Sequence, residues 1–150
     1  MFCLKRILLA SVLCCLAMPV CAFTFSYGTG ITIRGVEIKS GKLLLPLTHK
    51  KYRNVKIVSK DLFEFLKKCT DECVYPAAEI KITSVDYRKS FTNEDLMIAE
   101  VELNQDLILT FLVFQKPNAV SVKAPETVQF TNPVLYAEIE KHLTKLIGSL

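Results

Sequence analysis

The sequence predicts an α+β fold, a mainly antiparallel twisted sheet of about six to eight strands with one short internal helix and a C-terminal amphipathic helix packed on the sheet. Three stretches carry that expectation. Leu96 to Lys116 reads as two strands joined at Asn104-Gln105-Asp106. In the first, Met97, Ala99, Val101 and Leu103 alternate with Glu100 and Glu102, the period of a half-buried strand. In the second, Leu107 to Phe114 is apolar everywhere except Thr110, which predicts a central strand covered on both faces. Ser59 then precedes Leu62, Phe63, Leu66 and Cys69 at helical spacing, with Ser59 as N-cap and Val58 placed to staple onto Phe63. Finally, Asn132-Pro133 opens a helix whose apolar stripe is Leu135, Ile139, Leu143, Leu146 and Ile147, with Gly148 as its expected stop.

The N-terminus reads differently from the rest. Lys5 and Arg6 precede an apolar run from Ile7 to Met18, and Val20-Cys21-Ala22 offers small residues where a signal peptidase reads. The expected division is therefore a cleaved signal peptide, 1–22, and a single α+β domain, 23–150. Export to the periplasm or extracellular space is the expected localisation, with lipidation at Cys21 and retention as a signal anchor as the alternatives. Met18-Pro19-Val20 is a poor lipobox, and the apolar run is short for a membrane span. The domain itself contains no stretch long enough to cross a bilayer as a helix.

Between these anchors the chain alternates short strands and turns. Phe23 to Tyr27 is an aromatic strand, and Ile31 to Lys39 changes phase at Gly35, which predicts a β-bulge. Ser40-Gly41 turns the chain into Leu43 to Leu47, where Pro46 predicts an edge position or a bend. Val55 to Val58 is a further short strand. Glu79 to Tyr87 changes phase once more, and Ala119 to Lys123 and Val128 to Phe130 complete the set.

Four of the six cysteines lie within the first 22 residues, leaving Cys69 and Cys73 in the domain. An even pair in an exported chain predicts a disulfide. Thiol redox chemistry is disfavoured because three residues separate the pair, it follows a helix C-terminus, and Asp71 and Glu72 raise a thiol pKa. Two cysteines without a neighbouring histidine make half a zinc site, so no metal or other cofactor is expected.

No nucleophile, zinc-protease or phosphate-loop motif occurs, and no catalytic residue can be assigned. His142 reads as a helix-surface residue, His49 as a loop residue, and Glu100 with Glu102 as part of an exposed sheet face. Charge is the more informative signal. The chain carries 19 basic and 15 acidic residues, and without Lys5 and Arg6 the balance is nearly neutral. Its distribution is uneven. From Lys39 to Lys68 nine basic residues face only Asp61 and Glu64, whereas from Cys69 to Asp106 nine acidic residues face Lys81, Arg88 and Lys89. The tip of the basic stretch is Lys50-Lys51-Tyr52-Arg53, three cations around an aromatic ring.

These features favour an exported non-enzymatic binding or interaction protein that recognises an anionic envelope component or a protein partner through Lys50, Lys51, Tyr52 and Arg53. Nucleic acid is not expected as a partner. Two alternatives stand beside this reading. One is a small apolar-ligand or lipid carrier with a cavity between sheet and terminal helix; the other is an enzyme whose site is assembled from residues distant in sequence.

Overall fold

The computed structural model describes residues 21–48 and 52–149. Among the described residues, twelve strands and two helices follow one another, with the two helices far apart in the chain. The first large sheet is built from β1 (Cys21–Tyr27), β2 (Ile31–Lys39), β3 (Lys42–Leu44), β7 (Cys73–Tyr75) and β12 (Val128–Phe130). Its main order is β12-β2-β1-β7, with β3 also on β2. The second comprises β6 (Val55–Ile57), β8 (Ile82–Lys89), β9 (Leu96–Leu103), β10 (Leu107–Lys116) and β11 (Ala119–Lys123). Its order is β11-β10-β9-β8, with β6 also on β10. A separate ribbon joins β4 (Leu47–Thr48) to β5 (Tyr52–Arg53). Helix α1 spans Lys60–Lys67 and α2 spans Pro133–Gly148.

This is the expected α+β class with more strands than expected. The excess comes from pieces of two or three residues, too short to show a period in sequence. Pro46 explains one of them: the predicted Leu43 to Leu47 strand breaks there, so β3 pairs with β2 while β4 crosses to the ribbon. A second is β7, which lies parallel to β1 through Phe25↔Cys73 and Tyr27↔Tyr75. That pairing was not expected from the Cys73 segment, because a three-residue edge strand carries no alternation of its own.

The central hairpin follows the predicted register. Leu107 opposes Leu103, Leu109 opposes Val101, Phe111 opposes Ala99 and Val113 opposes Met97, all on the inward face. Asn104 and Gln105 both adopt positive φ, 53° and 58°, and the Asp106 N–H donates to the Leu103 carbonyl at 2.9 Å. That is a type I′ turn, whose twist matches a two-stranded hairpin. β10 is central, as its composition requires: β9 pairs along one edge, and β6 and β11 share the other.

Both predicted phase slips are bulges. Phe23 opposes Val36 and Phe25 opposes Ile33, so Thr24 faces two residues, Arg34 and Gly35. Gly35 sits at φ +80°, where a side chain would be strained. In β8 the slip falls between Ile82 and Ser84, opposite Leu103 and Glu102.

One continuous core joins the layers. Phe23, Phe25, Tyr27, Ile31 and Ile33 face Val101, Leu103, Leu109 and Phe111 across the interior, and Leu62, Leu66, Ile139 and Leu143 close it from the helices. Phe130 ties the layers together, with its ring 6.0 Å from Phe111 and 5.2 Å from Tyr136. Such tilted contacts add to the burial of apolar area. Leu96, Ile98 and Leu112, with Phe114, form a second small cluster at one end of the reverse face of the second sheet.

The helix ends confirm three sequence signals and correct two. Ser59 accepts from the Leu62 N–H at 3.2 Å, and Asn132 accepts from Val134 and Leu135 at 3.0 and 3.4 Å, with Pro133 at the first turn. The stripe of α2 buries Leu135, Ile139, Leu143 and Ile147. Gly148, however, lies inside the helix and Ser149 caps it in a right-handed conformation, so no left-handed glycine is used as the stop. Val58 and Phe63 are both substantially exposed instead of forming a buried staple, and the Lys67 ammonium lies 5.4 Å from the Phe63 ring centroid.

Candidate functional site

The predicted binding tip grows from the β4–β5 ribbon. Leu47 opposes Arg53 and Thr48 opposes Tyr52, while the turn residues His49, Lys50 and Lys51 lie outside the described residues. Leu47 and Arg53 are exposed. The root of the ribbon is firm: Asn54 is buried, its N–H donates to the Pro46 carbonyl at 3.2 Å, and its carbonyl accepts from Thr110 at 3.0 Å. Its side-chain amide donates to Thr127 Oγ1 at 2.8 Å. A surface ribbon is thus clamped between β10 and the approach to β12.

An ion pair joins the basic and acidic stretches. β6 lies beside β10, which puts Lys56 next to Ile108, and the Lys56 ammonium reaches Glu100 on β9 at 2.5 Å. With the lysine side chain 40% exposed, solvent screening limits this ion pair to about 0–1 kcal/mol. It directs Lys56 toward the second sheet. The remaining described cations of the stretch, Lys39, Lys42, Arg53, Lys60, Lys67 and Lys68, are exposed. Glu102 lies on the same reverse face as Glu100, where it accepts from Thr83 at 2.8 Å and Ser84 at 3.4 Å. The expected exposed sheet face is thus half-buried at these two glutamates and cross-linked by hydrogen bonds.

A polar cluster that sequence reasoning did not single out lies beside the hairpin turn. Tyr27 is fully buried and its hydroxyl donates to the Asp106 carboxylate. The same oxygen accepts from the Asn104 amide at 3.1 Å, and that amide also donates to the Glu79 carbonyl at 2.7 Å. Asn104 Oδ1 accepts from the Lys81 N–H at 2.8 Å. The Tyr27 ring stacks on Tyr75 at 5.6 Å, and Phe65 meets Tyr75 edge-on at 5.2 Å. Burial, and next the hydrogen bond to Asp106, push the Tyr27 phenol well above the usual tyrosine range. Burial first, then the charges of Asp106 and Asp61, also raise Tyr75. These phenols stay protonated near neutrality, so the cluster supplies hydrogen bonds and holds the hairpin turn against the first sheet. The signal for it in sequence was the Asn-Gln-Asp turn, but its partner stands 79 residues away.

Cys69 and Cys73 form the predicted disulfide, with Cα atoms 6.0 Å apart. Because Cys69 follows the end of α1 and Cys73 begins β7, the bridge fixes the helix to the edge of the first sheet. His142 is exposed on α2. Among the described residues, no group of three or more His, Cys, Asp or Glu side chains is placed to hold a metal ion. No helix among them is long and apolar enough to cross a membrane.

An open cleft of 180 Å³ lies where the Thr29-Gly30 turn, Ala77 to Ile80 and the start of α2 converge. Ile80 and Leu135 supply its apolar wall, and Glu79 and Glu138 its rim. A Cβ on Gly30 would stand 2.9 Å from Ile80 and 3.4 Å from Leu135, so glycine is what allows the helix to approach here. The cleft is smaller than the roughly 300–1,000 Å³ that drug-sized ligands occupy. A larger, shallow depression of 540 Å³ borders Tyr136, Glu140, Lys141 and Lys145, all from α2, and one helix cannot enclose a ligand.

Comparison with protein-family models, with curated proteins and with solved structures found no match.

Proposed function

We propose that this chain is an exported, non-enzymatic binding protein that uses the basic ribbon between Leu47 and Arg53 to hold an anionic envelope component or an acidic protein. The observation that supports this reading most is the ribbon's position. It belongs to neither large sheet, it is rooted at buried Asn54, and it exposes Arg53 within the most basic stretch of the chain. A buried root beside the exposed Arg53 limits the conformational entropy lost on binding. Tyr52 adds an aromatic residue among Lys50, Lys51 and Arg53, a combination suited to simultaneous packing and charge pairing.

The core supports the same reading over the carrier. Large side chains from both sheets and both helices meet in one continuous cluster, and the cleft beside α2 is open and small.

The test is retention on heparin-agarose, a polyanionic probe, of wild type and of a variant combining Lys50→Glu, Lys51→Glu and Arg53→Glu. The variant is expected to keep its melting temperature and to elute at markedly lower salt. Equal retention of a folded variant would refute a role for the ribbon.

A further inference from the structure

The surface around the ribbon carries more than charge. Four large hydrophobic residues stand exposed between positions 44 and 63: Leu44 at 42%, Leu47 at 54%, Val58 at 47% and Phe63 at 39%. They fall within the same stretch as the cations. Lys42 precedes Leu44 by two residues, Arg53 opposes Leu47 across the ribbon, and Lys60 follows Val58 by two. Contacts of α1 with β3 and with β6 join the helix to the strands that precede and follow the ribbon. Lys39 and Lys42 face each other at the end of the β2–β3 hairpin. The acids of the same elements are Glu37, which opposes Leu44, and Asp61 and Glu64 on α1. Cations outnumber them.

We infer that the surface around the ribbon docks on an anionic lipid bilayer, with Leu44 and Leu47 entering the interface while Lys42 and Arg53 pair with headgroups. The inference rests on the proposed function and specifies the anionic partner. Charge complementarity is one argument for the occupant, since each cation near an anionic leaflet adds to binding. The form of the apolar surface is the other. The exposed side chains come singly from a hairpin, a ribbon, a loop and a helix, and the Phe63 ring is already shared with Lys67. A protein interface concentrates its energy in aromatic or arginine anchors seated in pockets over a packed patch. A bilayer asks only for apolar atoms at a common depth and cations above them.

The experiment is vesicle flotation of the protein as recovered from the cells that make it, its N-terminus fixed by mass spectrometry and kept identical in every variant. The vesicles are phosphatidylcholine alone or phosphatidylcholine mixed with phosphatidylglycerol. Wild type is expected to float with the anionic vesicles and much less with the neutral ones. Replacing Leu44, which lies outside the ribbon, by Leu44→Ser should weaken that association about tenfold while leaving heparin retention unchanged. The Lys50, Lys51 and Arg53 charge-reversal variant should lose both. Soluble glycerol phosphate should compete poorly, because it lacks the acyl layer.

Each failure has its own meaning. Wild type that ignores anionic vesicles yet stays on heparin overturns the bilayer and leaves the anionic-partner reading standing. A folded leucine variant that floats like wild type overturns the insertion. Charge reversal without effect on heparin overturns the underlying function. Circular dichroism melts of both variants, compared with wild type, establish that each comparison is between folded proteins.

Discussion

Tyr27 shows how a single hydroxyl can hold two layers together. Its phenol reaches from β1 to the turn that closes β9 and β10, and Asp106 and Asn104 satisfy it there. Tyr27→Phe leaves the ring stack on Tyr75 in place but removes a buried hydrogen bond to a charged acceptor. The expected cost is about 1.5–3 kcal/mol in urea unfolding. The sign of its pH dependence follows from the direction of the shift. A phenol whose pKa is raised on folding stabilises the protein fully below the unfolded value of about 10 and loses that contribution as pH rises beyond it. Alkaline melts should therefore fall above about pH 10 in wild type and fall less steeply in Tyr27→Phe. Parallel pH profiles for the two proteins would contradict this. Gln105 poses the opposite case, because a non-glycine residue at φ 58° stores backbone strain. Gln105→Gly should raise stability by up to about 1 kcal/mol, read as a shift in the denaturant midpoint at unchanged slope.

At the scale of elements, the sequence was most legible where a period ran long enough to be counted. The hairpin from Leu96 to Lys116 and the helix after Asn132 needed only alternation, a run of apolar residues and a cap. Their inward residues are the ones expected. Leu109→Ala or Phe111→Ala should therefore cost about 2–5 kcal/mol, while Glu102→Ala on the reverse face should change stability by only a few tenths. Denaturant melts with the opposite order would place the central strand elsewhere. Legibility ended with the short pieces. β4 and β5 have two residues each and pair only with one another across a short turn, while three-residue β7 owes its existence to β1, far away in sequence. Pairing of β7 with β1 was invisible, although the neighbouring disulfide was not. That bridge closes a small loop, so Cys73→Ala should lose about 2 kcal/mol without abolishing folding. Thiol titration of the unreduced wild type should find neither Cys69 nor Cys73 reactive.

For the whole molecule, the decisive property is where charge and exposed apolar side chains end up. Sequence revealed two stretches of opposite sign but not their relation in space. The structure joins them by the ion pair of Lys56 with Glu100 on the reverse face of the second sheet and by the Val58 and Ser59 N–H groups on the Asp106 carbonyl, and leaves cations exposed along β3, the ribbon and α1. In sequence Leu44 and Leu47 read as strand residues, and Val58 and Phe63 as a strand end and a helix residue stapled together. Their exposure is decided by the break at Pro46 and by the docking angle of α1, neither of which leaves a periodic trace. Glu37, Asp61 and Glu64 keep the surface from being uniformly positive, so any anionic partner must be held by the ribbon and its surroundings more than by the field of the whole protein.

Salt dependence of binding to phosphatidylglycerol-containing vesicles measures that contribution most directly. Exposed charges interact over a Debye length of about 8 Å at physiological ionic strength, so association of wild type should weaken steadily as salt is raised. In the folded Lys50, Lys51 and Arg53 charge-reversal variant, binding should be weak at low salt and nearly insensitive to further salt. Identical salt curves for the two proteins would contradict the assignment of the ribbon as the binding element.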